Sequence, residues 1–368
     1  VHLYLHVPFC ARRCSYCDFA IAVRRVTPSD SYADAVLTEW RRWLDSPRLS
    51  GTTELSTVYF GGGTPSRLDP MVLARILETL TQDRPLVPGA EVTLEANPDD
   101  VTEAAAVAWV AAGVNRISLG AQSFHAPVLE WMHRTHTVDQ VAEAVGILRA
   151  SGIRNISLDL IYGLPASSGR DWRRDLDQAL ALSSDHLSLY GLTVEARTPL
   201  ARWVARGITD PSPEEAHAEE FLCAHSVLTA AGFRHYEVSN YGRLGREAVH
   251  NSAYWRRAPY LGLGPSAHSA MGTRRWWNVH EWEAWSRAIA EGRSAVGGEE
   301  VLEPSSMEVE RLYLGLRTDE GVEQALLDPA DLRAWEAAGW AVLGNGRIRL
   351  TPEGWLRLDA LVASAAPG

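Results

Sequence analysis

The sequence predicts an α/β protein: a partial (β/α)6 barrel, then a mixed helical region, then a small C-terminal winged-helix-like domain. Three observations predict it. Short apolar strand patterns alternate with helical periodicity through the first half, as in a parallel sheet covered by helices. That alternation stops near Pro199, where aromatic- and glycine-rich stretches take over. The last segment pairs helical patterns with one hairpin around Asn345-Gly346, a dipeptide suited to a tight turn.

Taken in order, strands are expected at residues 3–7, 56–60, 91–95, 116–119, 156–161 and 186–190. Helices are expected between them at 29–44, 69–80, 102–112, 138–150 and 171–182. Chemistry in a (β/α) barrel collects where the strands end. Cys10 follows the first strand, GGGTP follows the second, and Glu95 ends the third. A helix is expected after SPEEAHAEEF, followed by HYEVSNYG, HNSAYW and RRWWNVHEWEAW. The C-terminal outline is helix 306–316, helix 329–338, the hairpin WAVLGNGRIRL and helix 352–363. The expected division is 1–198 for the barrel, 199–300 for the aromatic-rich extension and 301–368 for the last domain.

Composition narrows the function classes. A formal charge of −11 argues against a general nucleic-acid surface, which needs a clustered basic face. The winged-helix-like outline invites a DNA-binding reading, but from Gly321 on it carries six acids against four arginines, so a scaffold or docking role is expected. No apolar run of ~18 residues that would span a membrane appears. Nor is a basic-then-apolar secretory signal visible.

Three of the four cysteines, Cys10, Cys14 and Cys17, fall in C-x3-C-x2-C. An odd, tight cluster is a poor disulfide framework and a better soft-metal site. Zinc would need a fourth ligand, for which His2 and His6 are near in sequence. An iron–sulfur cube held by three thiolates instead leaves one iron open to the amine and carboxylate of a small molecule such as S-adenosylmethionine. The fourth, Cys223, sits on an amphipathic helix and reads as a packed core residue.

The motifs YLHVPFC, CARRCSYC, YFGGGTPS, LEANPD, RISLGAQSF, MHRTH, LDLIYGLP, YEVSNYG, HNSAYW and GLGPSAHS carry a resemblance across nearly the whole chain. Together they resemble the radical S-adenosylmethionine (SAM) superfamily, within it the group of oxygen-independent coproporphyrinogen III dehydrogenases (HemN) and the heme chaperones called HemW. That resemblance implies a [4Fe–4S] cluster on Cys10, Cys14 and Cys17, with Tyr16 beside the adenine of S-adenosyl-L-methionine. It implies Tyr4, Gly62, Gly63 and Thr64 near the methionine portion, Glu95 on its amine and Arg134 on its carboxylate. Gln122 and Asp159 would serve the ribose, and the Leu192–Thr193 segment, with Thr193, the adenine. Read singly, each polar residue is as readily a surface or ion-paired side chain, and GGG a flexible turn.

Within that group Phe19 stands where the dehydrogenases would have a further cysteine, and nine residues precede Cys10 where those enzymes carry a substantial segment. Both departures favour the chaperone. His250 in HNSAYW resembles the heme-binding sequence of HemW-like proteins, and neutral imidazole is an axial ligand to heme iron. Its bland alternative is a histidine satisfied by hydrogen bonds in a Trp-rich interior. His268 is a second, weaker ligand candidate, and Trp276, Trp277, Trp282 and Trp285 fit a planar cavity or a packed core equally. The expectation is a cytoplasmic heme chaperone without dehydrogenase activity, working peripherally at the inner face of the membrane. It would pass heme to a membrane-associated respiratory acceptor protein, and no nucleic acid is expected as a partner. Homodimerisation is left open. A coproporphyrinogen III dehydrogenase and a radical SAM methyltransferase stand as alternatives.

Overall fold

The structure, a computed structural model, describes residues 1–49 and 51–365; Ser50 and 366–368, the tail of the expected last domain, lie outside the described residues. Strand β1 (His2–Val7) runs into the cysteine loop, which folds back as a short parallel pair, β2 (Phe9–Cys10) with β3 (Ala22–Val23). Beside β1 in the sheet come β4 (Leu55–Gly62), β5 (Leu86–Ala96), β6 (Arg116–Gln122), β7 (Asn155–Tyr162) and β8 (His186–Gly191), each parallel to its neighbour. These are the six expected strands in the expected order. Helices Ser29–Leu44, Pro70–Asp83, Glu103–Ala112, Val138–Ala150 and Trp172–Ala181 cover the outside. Asp69, Thr102, Thr137 and Asp171 cap four of them by accepting backbone N–H bonds of the first turn.

Beyond residue 199 the structure adds what the sequence did not indicate, strands on both edges of the same sheet. β9 (Arg234–Glu237) and β10 (Asn240–Gly242) extend it antiparallel beyond β8. β11 (Tyr260–Leu263) lies parallel against the other side of β1 and starts an antiparallel meander of β12 (His268–Met271), β13 (Arg274–Asn278) and β14 (Val296–Val301). Among the described residues the result is one open sheet of 12 strands. Most of these added strands are 3–5 residues long, too short for a clear periodicity.

The C-terminal module has its own small sheet, β15 (Val322–Glu323), β16 (Ala341–Gly344) and β17 (Arg347–Leu350), packed with helices Pro304–Leu316 and Pro329–Ala337 around Leu316, Trp335, Ile348 and Trp355. Asn345 and Gly346 take φ of 51° and 73°, the left-handed pair that a two-residue hairpin turn of this type requires. The single helix expected at 352–363 is instead two, Pro352–Trp355 and Leu358–Ala365. Trp355 anchors the break: its indole N–H donates to the Leu316 carbonyl at 2.9 Å, and Gly354 abuts the Trp340 carbonyl so closely that a Cβ there would lie 2.0 Å from it.

Alternation within the barrel strands decides which face does what. Leu3, Leu5, Val58, Phe60, Val92, Leu94, Ile117, Leu119, Ile156, Leu158, Leu187 and Leu189 are buried in the main core. Each such side chain contributes about 1.5–3 kcal/mol relative to exposure. The intervening positions on neighbouring strands are polar: His2, Tyr4 and His6; Thr57 and Tyr59; Glu91, Thr93 and Glu95; Arg116 and Ser118; Ser157 and Asp159; His186, Ser188 and Tyr190. Parallel strands covered on both faces are usually apolar throughout. A polar inner face buries donors and acceptors that need partners, which suits a ligand cavity.

Candidate functional site

The cysteine loop is tied down from four directions. His6 Nε2–H donates to the Ala20 carbonyl at 2.8 Å, and Ala22 N–H to the Pro8 carbonyl at 2.7 Å, closing the loop's base. Ser15 N–H donates to Met132 O at 3.2 Å, and its own carbonyl accepts from Leu200 N–H at 2.8 Å, linking the loop to the segments after β6 and β8. Cys10 is buried, and Cys14 and Cys17 are half-buried. The Thr64 hydroxyl donates to Cys10 Sγ at 3.4 Å and Arg134 Nη1 to Cys14 Sγ at 3.5 Å. Burial pushes the Cys10 thiol up and the Cys17 thiol to about 11. Both are therefore neutral thiols near pH 7 until something positive displaces the proton. His2 and His6, the zinc candidates, are committed elsewhere: His2 Nδ1 meets the Thr57 hydroxyl at 2.9 Å, and His6 Nδ1 accepts from Tyr4 at 3.1 Å. Among the described residues no three His, Cys, Asp or Glu side chains are disposed to hold one metal ion. Phe19 is 60% exposed on this loop.

The glycine run belongs to the same construction. Gly63 donates its N–H to Val7 O at 2.8 Å, and a Cβ on it would lie 2.7 Å from the Pro8 carbonyl carbon. Gly62 has φ of +113°, and its N–H donates to Glu95 Oε2 at 3.0 Å. Tyr59 donates to Glu95 Oε1 at 2.8 Å. Burial outweighs both bonds and raises Glu95 to about 7. Asp159 accepts from Ser118 at 2.9 Å and Ser157 at 3.2 Å, and burial raises it to about 6. Arg134 Nη2 donates to Asn97 Oδ1 at 2.6 Å and Gly120 O at 3.0 Å, while its buried Nε has no partner among the described residues. Gln122 ends β6 at φ of 65°, an uncommon conformation for a side chain of its kind. Tyr16 packs against the Val128, Met132, Ile161 and Leu164 cluster beside Leu192, and burial raises its pKa. Thr193 is exposed just past β8.

His250 is 1% exposed, with both ring nitrogens engaged: Nδ1 meets the Thr57 hydroxyl and Nε2 the Tyr254 hydroxyl, each at 2.7 Å. The backbone N–H groups of Val249 and His250 donate to the two Glu91 oxygens at 2.9 and 3.0 Å, which ties the start of the helix Val249–Trp255 to β5. Burial lowers His250 to about 3, so the ring is neutral. The geometry is that of the satisfied histidine. Tyr59 stacks on it with centroids 4.9 Å apart, joining HNSAYW to Glu95 through Tyr59. Trp276 and Trp285 are fully buried in the main core with Trp282 packed on it; Trp277 stacks on His268 at 5.9 Å. A cavity of ≈ 460 Å³ opens nearby on the inner face, lined among others by Tyr4, His6, Tyr254, Tyr260 and His268.

Sequence reasoning did not single out Gly61, Tyr59 or Glu91. A Cβ on Gly61 would lie 2.7 Å from Tyr59 and 2.9 Å from Tyr4, so this glycine keeps those two rings together over Glu95. The polar alternation HLYLH, TVY, EVTLE, RIS, ISLD and HLSLY was the available signal.

A parallel partial barrel carrying C-x3-C-x2-C beyond its first strand defines a radical SAM protein, and the comparisons agree. The model of the Radical SAM superfamily matches residues 4–179. The heme chaperone HemW of Mycobacterium tuberculosis (strain ATCC 25618 / H37Rv) is 38% identical over 98% of this chain and 93% of its own. The mitochondrial radical S-adenosyl methionine domain-containing protein 1 of Mus musculus is 35% identical over 99% of this chain and 87% of its own. Among solved structures, coproporphyrinogen III oxidase (HemN) from Escherichia coli superposes with a TM-score of 0.81 at 21% identity, covering 98% of this chain and 88% of that one. The chain belongs to the HemW family of the radical SAM superfamily. Among its described residues no helix is long and apolar enough to cross a membrane.

Proposed function

We propose that this protein is a heme chaperone built on a radical SAM scaffold, which holds heme, a [4Fe–4S] cluster and S-adenosyl-L-methionine and delivers heme to a membrane-associated respiratory protein. The similarity over nearly the whole chain to proteins named heme chaperone HemW carries this reading. Cys10, Cys14 and Cys17 would hold the cluster, whose contribution when bound is a low-potential electron. The donor set fits: Thr64 and Arg134 already donate toward two of the sulfurs, the contacts that cluster-bound sulfur would accept. Arg134, with its unpaired buried Nε, would take the methionine carboxylate, and Glu95 the amine. Gly62, Gly63 and Thr64 would bring backbone to that end beside Tyr4, Gln122 and Asp159 would hold the ribose, and Tyr16 and Thr193 would flank the adenine. The HNSAYW helix, with His250, would form part of the heme site.

Phe19, exposed on the cysteine loop, supports chaperone over dehydrogenase. The test is an anaerobic titration of cluster-reconstituted protein with heme, run beside an assay of coproporphyrinogen III turnover. Saturation near one heme per chain without decarboxylation supports the proposal. Turnover with release of carbon dioxide, or no saturable heme binding, refutes it.

A further inference from the structure

We infer that the Thr64 hydroxyl tunes the reduction potential of the cluster proposed for the cysteine loop, by donating to the Cys10 sulfur. This rests on the cluster part of the proposed function and gives Thr64 a second role, since its place beside S-adenosylmethionine used only its backbone.

A threonine that precedes a helical turn ordinarily accepts a backbone N–H bond on its side-chain oxygen. Thr102, Thr137, Thr198 and Thr351 all do so in this protein. Thr64 precedes the one-turn helix Pro65–Arg67 and makes no such bond. Its hydroxyl donates instead to Cys10 Sγ at 3.4 Å, and among the described residues the side chain has no other hydrogen bond. The backbone holds both partners in place. Gly63 N–H donates to Val7 O at 2.8 Å and Arg67 N–H to Thr64 O at 3.1 Å, which pins residue 64 from both sides. Cys10 sits in the β2–β3 pair, its carbonyl accepting from Arg24 N–H at 2.9 Å.

Each sulfur of the loop has a donor: Thr64 for Cys10, Arg134 Nη1 for Cys14 at 3.5 Å, and the Phe19 backbone N–H for Cys17. The three are not equivalent. Cys14 and Cys17 are half-buried, so water can replace a donor lost there. Cys10 is 9% exposed and Thr64 5%, so water has no path to replace the hydroxyl. Hydrogen bonds to the sulfurs of an iron–sulfur cluster help set its potential. They favour the reduced form, which carries one more negative charge, and a low local dielectric strengthens them. Thr64 therefore raises the potential and makes the site easier to reduce.

The experiment compares anaerobically reconstituted wild type, Thr64→Val, Thr64→Ala and Thr64→Ser, all without S-adenosylmethionine. The one-electron couple of the cluster is titrated with dithionite through redox mediators, and the reduced form is read by EPR. Iron and sulfide per chain and circular dichroism establish loading and folding. Valine keeps the branched shape without the O–H, and alanine removes the O–H without adding bulk. Both are expected to shift the reduced-to-oxidised ratio ~10-fold toward the oxidised form, the order of one charge-assisted hydrogen bond and about 59 mV downward for one electron. Thr64→Ser keeps the donor and is expected to stay near wild type. Water admitted by a loosened loop would supply new donors and shift the potential upward, so the sign separates a lost donor from looser packing. An unchanged or raised potential in loaded Thr64→Val, or an equal fall in Thr64→Ser, overturns the assignment and leaves the proposed function standing. Failure of both Thr64→Val and Thr64→Ala to hold the cluster makes residue 64 a structural support and also overturns it. Failure of the wild type to assemble a cluster refutes that part of the proposed function, and this assignment with it.

Discussion

Adding one methyl group at Gly63 tests whether the glycine run and the cysteine loop form one rigid unit. Gly63 does not have a positive φ, so alanine there meets no backbone strain and the effect is steric. The new Cβ would lie 2.7 Å from Pro8 C, 2.8 Å from Pro8 O and 3.0 Å from Val7 O. All three are backbone atoms, which have no rotamer through which to yield. Pro8 O also accepts the Ala22 N–H that closes the loop's base, and Phe9–Cys10 follow directly. Forcing extra volume into such a contact costs about 1–3 kcal/mol. The displacement should move Cys10 away from Thr64 and lower cluster occupancy as well. Gly146→Ala is the counterpart: it is exposed within Val138–Ala150, nothing lies within 4 Å of its added Cβ, and the change should stabilise by about 0.5–1 kcal/mol. Urea midpoints of the cluster-free proteins, with iron and sulfide per chain after reconstitution, measure both effects. A Gly63→Ala protein with wild-type midpoint and full iron would refute the rigid-unit argument.

Cys10→Ser, Cys14→Ser and Cys17→Ser should each reduce reconstituted iron sharply, while Cys223→Ser, half-buried on the helix Glu214–Ala230, should leave it unchanged; chemical iron analysis decides. Arg134→Lys keeps the charge but loses the fork that spans Asn97 and Gly120, and should weaken S-adenosylmethionine binding by ~10-fold, as expected from a charge-assisted contact of about 1.5 kcal/mol, measured by calorimetry on reconstituted protein. Glu95, raised by burial to about 7, binds its proton more tightly folded than unfolded. The stability this gives is full below the ordinary carboxylate pKa and is lost as pH rises toward about 7. Glu95→Gln removes that dependence, so its urea midpoint should gain on the wild type between acidic and mildly alkaline pH; parallel midpoints would contradict the shift.

What the sequence determined by itself is local. The caps Asp69, Thr102 and Asp171 stood at the expected helix starts because capping depends on residues two or three apart. The Asn345-Gly346 turn and the cysteine spacing were legible for the same reason, as was family membership from motifs read as short strings. Tertiary structure alone decided which groups share a wall. β11 lies against β1 across some 250 residues of chain, Tyr4 beside Gly262, and that pairing creates the cavity to which His268 turns. Likewise His250 had a ligand's chemistry in the sequence, but its nitrogens were spent by Thr57 and Tyr254 once the helix docked on Glu91. A side chain's chemistry is set by its own atoms; its availability depends on neighbours that only the folded chain supplies.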